Sequence, residues 1–379
     1  MKVNEIMSKD LKYVKPNDSV SDVLSLIEKN CFREVLVLEN NKLEGIVYSK
    51  QIAGREISDP TRIKVRTVMG HMPATIRPDQ EIEEAAQKIL RTGLRALPVL
   101  DNKVVVGIIS LSDIVDAASK SKAFRQAKAE TVMSKAETIY HEDDIGTARF
   151  LMREKNISRL PVVDSKKKIV GVVTIFDLLR AVKPSERMNF YSMSAEKLTT
   201  RDILVSTVMN KRPTSVDKKT PLSESINLMR KYDTDGVIVS ENNSPIGVVT
   251  EKDLLEYYVS SLNPKGPSYQ ISGLEEEDDF VMSTINRMLN DSMEKLSKIV
   301  KNPFLFLHVK RYERKGRVKY SIRARLSSER GFYVTKSYAW DFRSAVDEAL
   351  DKLEKIVIKN KKSKRDRLKE MLRFKKLLR

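Results

Sequence analysis

The stretch Gly171-Val-Val-Thr174-Ile-Phe-Asp177-Leu178 describes a short apolar strand that stops at a hydroxyl and is followed by the start of a helix. Related stretches begin at Gly107, at Gly247 and, in a degraded form, at Gly45, so successive copies are 62, 64 and 76 residues apart. A period of this size indicates a small domain that is repeated, rather than one turn of a solenoid. We therefore expect four related domains before about residue 260.

In each repeat, the same succession of motifs precedes this strand-and-helix stretch. In the third copy, Val132-Met133 is followed by Thr138-Ile139, a helix near Ile145 to Lys155 and the strand Arg159-Leu-Pro-Val-Val163. The second copy has Pro78-Asp79 ahead of its helix, where proline keeps the preceding residue extended and an acid suits a helix N-terminus. Four occurrences of the whole succession make chance similarity a poor explanation.

These motifs resemble the CBS domain (cystathionine-β-synthase type), in four tandem copies over residues 1–58, 63–122, 128–184 and 202–260. The resemblance implies that each copy is a β-α-β-β-α unit and that the copies pack in pairs, giving two modules. CBS modules also associate face to face, so a homodimer through them is a further expectation.

A Ser/Thr-x-x-Asp step closes three of the copies. Its hydroxyl lies beside the N–H groups of the next helix's first turn, which favour a phosphate, and a carboxylate three residues later can accept hydrogen bonds from a ribose. The resemblance implies an adenine nucleotide (AMP, ADP or ATP, with S-adenosylmethionine less favoured). The candidate residues are Thr75, Arg95, Ser110, Asp113, Thr138, Arg159, Thr174, Asp177, Thr214, Thr250 and Asp253.

Two alternatives limit this prediction. The first copy has Tyr48 and Gln51 where the step belongs, so we expect no site there. The same spacing also describes a helix cap without a ligand, with the hydroxyl as N-cap and the acid favoured by the helix dipole. Both interpretations stay open for each step.

Charge separates the end of the chain from the rest. The net charge is +18, of which residues 301–379 carry +16. A nearly neutral body with a strongly basic end indicates that the end meets a polyanion. The alternative is a solvated tail, but the charge continues through patterned sequence, which favours nucleic acid.

The C-terminal part has a β-α-β-β-β-α pattern, which predicts a two-layer α+β domain over residues 268–360 and a basic, helical tail over 361–379. Ser268–Ser272 is a short strand, and a helix over Phe280–Val300 is followed by strands at Phe304–Tyr312, Val318–Leu326 and Phe332–Lys336. Val318–Leu326 alternates apolar and polar residues without a fault. The second helix is predicted to bury Phe342, Ala345, Val346, Ala349, Leu350, Leu353 and Ile356.

The stretch Asp341-Phe-Arg-Ser-Ala345-Val-Asp-Glu-Ala-Leu-Asp351-Lys-Leu-Glu-Lys355 resembles the second helix of ribosome hibernation-promoting factors. The resemblance implies binding to the small ribosomal subunit and its rRNA, and a block of translation. The predicted RNA-binding residues are Lys310, Arg311, Arg314, Lys315, Arg317, Lys319, Arg323, Arg325, Arg330, Lys336, Lys359, Lys361, Lys362, Lys364, Arg365 and Arg367. Tyr312, Phe332 and Tyr333 lie among them and are candidates for stacking on bases or for ordinary sheet packing.

The sequence gives little support to other functional classes of protein. Cys31 is a single cysteine, which excludes a disulfide framework and a cysteine-based zinc site, and no metal is predicted. Three scattered histidines and the lack of a P-loop give no enzyme constellation. The lack of an apolar leader or spanning run predicts a cytoplasmic protein without a membrane partner. Two alternatives remain: a nucleotide-regulated DNA- or RNA-binding regulator, and a CBS regulatory subunit of another protein.

Overall fold

The computed structural model describes residues 1–30, 32, 34–48, 59–72, 74–155, 157–181, 203–262, 268–273, 279–314, 317–328 and 331–377. Within these residues the chain is a mixed α+β protein with several small sheets, as the sequence predicts. It forms two compact units, Met1–Arg125 with Leu254–Val259 and Gln126–Asp253 with Ser260–Arg379. The second unit contains the third repeat, most of the fourth repeat and the C-terminal domain.

The helices alternate with strands through the repeats and flank the C-terminal sheet. They are α1 Val20–Asn30, α2 Ile82–Thr92, α3 Leu111–Ser119, α4 Lys122–Gln126, α5 Ala129–Val132, α6 Ile145–Glu154, α7 Ile175–Ala181, α8 Val205–Val208, α9 Leu222–Lys231, α10 Glu251–Leu262, α11 Asp279–Ser297 and α12 Phe342–Leu377. Two 3₁₀ turns, Val3–Glu5 and Val65–Thr67, precede the first two repeats' main elements.

The strands form four sheets. They are β1 Tyr13–Val14, β2 Glu34–Glu39, β3 Lys42–Tyr48, β4 Ala96–Asp101, β5 Val104–Ser110, β6 Ser134–Lys135, β7 Ile139–Tyr140, β8 Arg159–Val163, β9 Ile169–Thr174, β10 Ser215–Asp217, β11 Gly236–Glu241, β12 Ser244–Thr250, β13 Ser268–Ser272, β14 Phe304–Arg314, β15 Arg317–Ser328 and β16 Gly331–Ala339. The sheet orders are β1-β2-β3-β5-β4, β10-β11-β12-β6, β7-β8-β9 and β13-β14-β15-β16.

Each repeat contains an antiparallel hairpin, and three of the hairpins turn on two residues with positive φ. These pairs are Asn40-Asn41, Asn102-Lys103 and Asn242-Asn243. Asparagine tolerates the left-handed conformation, and this turn matches the twist of the flanking strands. The hairpins bring the Ser/Thr that ends the second strand beside the start of the first.

The Met and Gly motifs that recur in the sequence meet across repeats. A Cβ on Gly171 would lie 2.5 Å from Sδ of Met209, and one on Gly247 would lie 2.6 Å from Sδ of Met133. Gly107 has the same relation to Met7, at 2.7 Å. The methionine of one repeat therefore packs against the glycine of another repeat, where no side chain stands in its way. These contacts pair the first repeat with the second and the third with the fourth.

The C-terminal domain has the predicted β-α-β-β-β-α order. β13 runs parallel to β14, and β14, β15 and β16 form an antiparallel meander. Helices α11 and α12 cover one face of this sheet, where the apolar residues of the strands form a single core. Its buried residues are Ile285, Leu289, Met293, Leu296, Val300, Leu305, Leu307, Val309, Ile322, Ala324, Leu326, Phe342, Ala345, Val346, Ala349, Leu350, Leu353 and Val357.

Two details of this core differ from the sequence prediction. Ile356 is 37% exposed, and Val357 is buried in its place, because the helical phase drifts over four turns. β16 contributes polar residues to the buried face: the Thr335 hydroxyl donates to the Ala349 carbonyl at 3.1 Å, and the Ser337 hydroxyl to that of Ala345 at 2.5 Å. The small alanines allow α12 to approach the strand closely enough for these bonds.

Candidate nucleotide sites and nucleic-acid surface

Three repeats end their last strand with the same hydrogen-bonded step. Thr174 donates its backbone N–H and its hydroxyl to Oδ2 of Asp177, at 2.8 and 2.6 Å. The Asp177 N–H lies 3.4 Å from the hydroxyl oxygen. The pairs Ser110–Asp113 and Thr250–Asp253 have the same arrangement. Each step is therefore a helix cap, which uses one carboxylate oxygen and leaves Oδ1 for another partner.

Asp253 differs from Asp177 in what this second oxygen contacts. The Arg325 guanidinium, from β15 of the C-terminal domain, donates through Nη1 to Oδ1 of Asp253 and through Nη2 to the Val132 carbonyl. Its Cζ lies 4.0 Å from the Phe332 ring centroid. Arg325 is 1% exposed, so its charge is buried against the carboxylate. A residue of the C-terminal domain thus occupies the carboxylate that the sequence assigns to a ribose.

A second arginine completes this cluster. Nη2 of Arg323 lies 3.5 Å from Oδ1 of Asp253 and donates to the Ser134 hydroxyl at 2.7 Å. Burial alone would raise the pKa of Asp253, because a buried carboxylate loses its hydration. The charges of Arg325 and Arg323, with the hydrogen bonds from Thr250, outweigh burial and hold the pKa of Asp253 below its ordinary value. The carboxylate is therefore ionised.

The two arginines predicted to contact phosphate do not hold equivalent positions. Arg159 is the first residue of β8, whereas Arg95 lies one residue before β4 begins. Arg159 is buried, forms an ion pair with Asp235 and donates to the Gly236 carbonyl at 2.5 Å. A phosphate would have to compete with Asp235 for this guanidinium. Arg95 is half-buried, and its phosphate role stays a prediction.

Each of the three threonines that follow the Met motifs directly precedes a strand or a bridged residue of its repeat. The Thr75 carbonyl accepts from Nζ of Lys88 at 2.9 Å, and the Thr214 carbonyl accepts from the Ile238 N–H at 3.0 Å. Thr138 is exposed. Their hydroxyls make no hydrogen bond within the described residues, so the structure leaves them as candidates. Gln51, in the first repeat, lies outside those residues.

The outer face of the C-terminal sheet, opposite α11 and α12, packs against the third and fourth repeats. Arg323, Arg325 and Lys336 lie on this face. In this arrangement they contact protein, and their role in RNA binding stays a prediction. Arg311 and Lys359 are exposed, and Lys310 and Lys319 are half-buried.

The remaining predicted RNA contacts are not described by the structure. Lys315 and Arg330 lie outside the described residues, and no side-chain environment is described for Arg314, Arg317, Lys361, Lys362, Lys364, Arg365 and Arg367. The backbone of the tail is described as far as Leu377, and it continues helix α12 without a break.

The C-terminal end of α6 is held by donors from the same sheet face. The hydroxyl of Tyr338 donates to the Glu154 carbonyl, that of Tyr312 to the Arg153 carbonyl at 3.2 Å, and Nζ of Lys336 to the Lys155 carbonyl at 2.5 Å. The last carbonyls of a helix have no partner within it, and their dipoles favour a cation. The sheet therefore docks on α6 through groups that fit this end.

The buried position of Lys336 changes the pKa of its amine. Burial lowers the pKa of Lys336, and the nearby charge of Arg323 adds to the effect, giving a value of about 8. The amine is thus partly neutral in mildly alkaline solution. Burial also raises the pKa of Tyr312 and of Tyr338 above their ordinary values.

The aromatic residues predicted to stack on bases have protein partners instead. Tyr312 bonds to α6, Phe332 covers Arg325, and Tyr333 packs on the domain core. The aromatic that sequence reasoning missed is Trp340, which is 55% exposed. Nζ of Lys319 lies 6.0 Å from its ring centroid. Trp340 directly precedes the motif that predicts the second helix, and this position is the one feature of the sequence that draws attention to it.

Trp340 borders a groove of about 590 Å³ within the C-terminal domain. The lining residues are Val281, Val318, Tyr320, Trp340, Asp341, Phe342 and Arg343. In the part of the chain that the structure describes, no group of three or more His, Cys, Asp or Glu side chains is arranged to hold a metal ion. The helices described there include none that is long and apolar enough to cross a membrane.

Comparison with family models identifies both parts of the chain. The CBS domain model matches residues 3–56, 65–120, 129–184 and 205–260. The model described as "Hibernation factor Hib, C-terminal domain" matches residues 268–376. These matches agree with the two resemblances found in the sequence.

Relatives among curated proteins and solved structures extend the similarity. An uncharacterized protein of Methanocaldococcus jannaschii, MJ1404, is 31% identical over 322 residues, which are 84% of this chain and 76% of that protein. A 33.4 kDa protein in a ribosomal RNA operon of Thermofilum pendens is 25% identical over 65% of this chain and 87% of its own length. The crystal structure of M. jannaschii protein MJ1225 covers 68% of this chain and 100% of its own, with a TM-score of 0.57 and 21% identity, which shows the fold alone.

Proposed function

Because the chain belongs to the CBS-domain proteins and carries the C-terminal domain of hibernation factor Hib, we propose that it is a ribosome hibernation factor regulated by adenine nucleotides. In this proposal the C-terminal domain and its long helix bind the small ribosomal subunit and block translation. The CBS repeats bind AMP, ADP or ATP. The observation that carries the proposal is the Hib match over residues 268–376, which coincides with the basic end of the chain.

The form of α12 supports an rRNA partner. The helix has 36 residues, which correspond to about 54 Å. Among the α12 residues whose exposure is described, the last buried one is Val357, and Ile358, Lys359 and Asn360 are exposed. The following residues are rich in lysine and arginine, so the helix extends its positive charge beyond the domain core. Such an extension suits phosphates arranged along a folded RNA.

The relative from Thermofilum pendens adds circumstantial support, since its printed name places it in a ribosomal RNA operon. We extend this association with ribosome production to the present chain. The CBS part supports the nucleotide half of the proposal through the Thr174–Asp177 and Ser110–Asp113 steps. In each step, Oδ2 of the aspartate accepts a hydrogen bond from the hydroxyl of the serine or threonine. Oδ1 is then available at the start of a helix.

Sucrose-gradient co-sedimentation tests the ribosome partner. The full chain is mixed with small or large subunits at near-physiological salt, with and without AMP, ADP or ATP. We expect stoichiometric migration with small subunits. A variant with Lys359, Lys361, Lys362 and Lys364 replaced by glutamine should lose most of this binding.

The matched control uses three exposed residues in and directly after α11, which are replaced by glutamine in the same way: Arg287, Lys295 and Lys298. It should bind as the unchanged chain does. Protein that stays at the top of the gradient with both subunits, but shifts free RNA or DNA, would replace this function with that of a nucleic-acid-binding regulator. Protein that binds neither would favour a CBS regulatory subunit of another protein.

A further inference from the structure

We propose that the C-terminal domain and an adenine nucleotide compete for Asp253, so that ligand binding to the fourth repeat releases the basic face of the sheet. The competitor is Arg325, which occupies the oxygen that the helix cap leaves available. This inference rests on the proposed function, because it takes the Thr250–Asp253 step as a nucleotide site and the sheet as an RNA-binding face.

The geometry of Asp253 allows one partner at a time. Its Oδ2 accepts from the Thr250 hydroxyl at 2.7 Å and from the Thr250 N–H at 2.8 Å. Its Oδ1 accepts from Arg325, and Arg323 lies within 3.5 Å of the same atom. The carboxylate is 3% exposed. A ribose that hydrogen-bonds to this group must therefore displace the arginine.

The docked face also has specific partners away from Asp253. The Ser327 hydroxyl of β15 lies 3.0 Å from that of Ser260 in α10. Arg323 donates to Ser134 in β6, and the end of α6 accepts from the tyrosines and the lysine described above. Contacts spread over three elements of the repeats indicate a built interface rather than a chance approach of two charged groups.

The residues that bind the repeats are the same ones that suit a polyanion. Docking buries the guanidinium of Arg325 and covers much of Arg323 and Lys336, so these charges are hidden from phosphates. Release would return all three to the surface beside Lys319. Ligand binding to the fourth repeat would thus enlarge the basic surface that the ribosome meets, with no change in the exposed part of α12.

Asp177 provides the internal comparison. It has the same cap as Asp253, but among the described residues no arginine contacts its Oδ1. A nucleotide at Asp177 therefore does not have to displace the C-terminal domain. We expect docking of the C-terminal domain to weaken nucleotide binding at Asp253 and to leave nucleotide binding at Asp177 unchanged. A general effect of the repeats on ligand affinity would instead change both sites.

A disulfide lock tests the competition directly. Ser260 and Ser327 are replaced by cysteine in a chain whose Cys31 is serine; their hydroxyl oxygens lie 3.0 Å apart, which brings the two side chains within reach of a disulfide. Oxidation holds the sheet on the fourth repeat, and reduction frees it, so the same protein is its own control. AMP, ADP and ATP are titrated into both forms by calorimetry.

The oxidised form should lose one nucleotide site that the reduced form has, and binding at the remaining sites should be unchanged. Equal stoichiometry and affinity in the two forms would overturn the proposal, and so would the lack of an Asp253-dependent site in the reduced form. Neither result depends on ribosomes. Failure of co-sedimentation would overturn the proposed function while leaving the lock result intact.

Arg325→Leu gives the second measurement. Affinity at the fourth repeat should rise about tenfold, as expected when the open form increases from about a tenth of the molecules to nearly all of them. Arg287→Leu, an exposed arginine on α11, should leave affinity unchanged. Weaker nucleotide binding by Arg325→Leu would overturn competition and show instead that Arg325 completes the ligand site.

Discussion

Asp177 and Asp253 hold the same position in consecutive repeats, yet Asp253 pairs with Arg325, whereas Asp177 has no arginine partner among the described residues. The two carboxylates make the same hydrogen bonds to the threonine of their step. The difference between them is therefore the C-terminal domain. This difference turns one of two equivalent caps into an interface between the CBS repeats and the C-terminal domain.

The first prediction compares Asp253→Asn with Asp177→Asn. Asparagine keeps the shape of either cap, but at position 253 it leaves the buried guanidinium of Arg325 without its counter-charge. We expect Asp253→Asn to lower the free energy of unfolding by about 3–5 kcal/mol and Asp177→Asn by about 1 kcal/mol. Denaturant titration of both variants measures this. Equal losses would show that the arginine adds nothing to the cap.

The second prediction concerns pH and Lys336. Its pKa is about 8 in the folded protein and 10.5 in the unfolded chain. The unfolded state therefore holds the proton more tightly, and the free energy of unfolding should rise with pH from about 8 upward as this lysine loses its charge. The rise should be absent in Lys336→Met, whose side chain has no charge to lose.

Denaturant titrations between pH 7.5 and 9.5 measure this effect. The window stops below the range in which tyrosines of the unfolded chain ionise, because Tyr312 and Tyr338 have raised pKa values and would reverse the trend above it. Lys298→Met, at an exposed lysine directly after α11, is the control and should keep the rise. An identical slope in Lys336→Met and the unchanged chain would contradict the burial of this amine.

The third prediction is a change in salt dependence. Each phosphate contact that is lost lowers the slope of log K against log salt by about 0.7–0.9. Replacing Lys359, Lys361, Lys362 and Lys364 by glutamine should therefore reduce the slope for small-subunit binding by up to about 3. The control variant of Arg287, Lys295 and Lys298 should keep the slope of the unchanged chain. Equal slopes for both variants would remove α12 from the rRNA contact.

The repeats and the order of the C-terminal elements were predictable because their signals are local. The Gly-x-x-Ser/Thr-x-x-Asp step contains both the strand end and the cap of the next helix within a few residues. The alternation of Val318–Leu326 identifies a strand with one buried face, and the structure confirms that Ile322, Ala324 and Leu326 are buried.

What the opposite face of this strand packs against was not predictable in the same way. Arg323 and Arg325 alternate with apolar residues as any solvent-exposed or RNA-binding pair would. Their partner, Asp253, lies 72 residues before Arg325, and the sequence contains many other acidic residues, none of which a local pattern singles out. A local pattern identifies a polar face, but long-range packing decides whether it meets water, RNA or protein.

The last prediction tests how the repeats are paired. A Cβ on Gly247 would lie 2.6 Å from Sδ, 3.0 Å from Cγ and 3.0 Å from Cβ of Met133, so the close atoms belong to one flexible side chain. A Cβ on Gly45 would instead lie 2.6 Å from the Gly70 carbonyl oxygen, with Sδ of Met69 at 3.4 Å. That carbonyl accepts the Ile46 N–H at 2.9 Å and cannot move aside without losing the bond.

We expect Gly247→Ala and Gly45→Ala each to destabilise their own unit, by about 1–3 kcal/mol for the overpacking at Gly247 and by more at Gly45. Met133→Ala removes Sδ and Cγ, so the Gly247/Met133 double-mutant cycle should show a coupling energy of about 1 kcal/mol or more. The Gly45/Met69 cycle should show less than about 0.5 kcal/mol, because the obstructing atom there is main chain. Calorimetry of the single and double variants measures both cycles. Equal coupling in the two cycles would mean that the glycines do not make room for the methionines of their partner repeats.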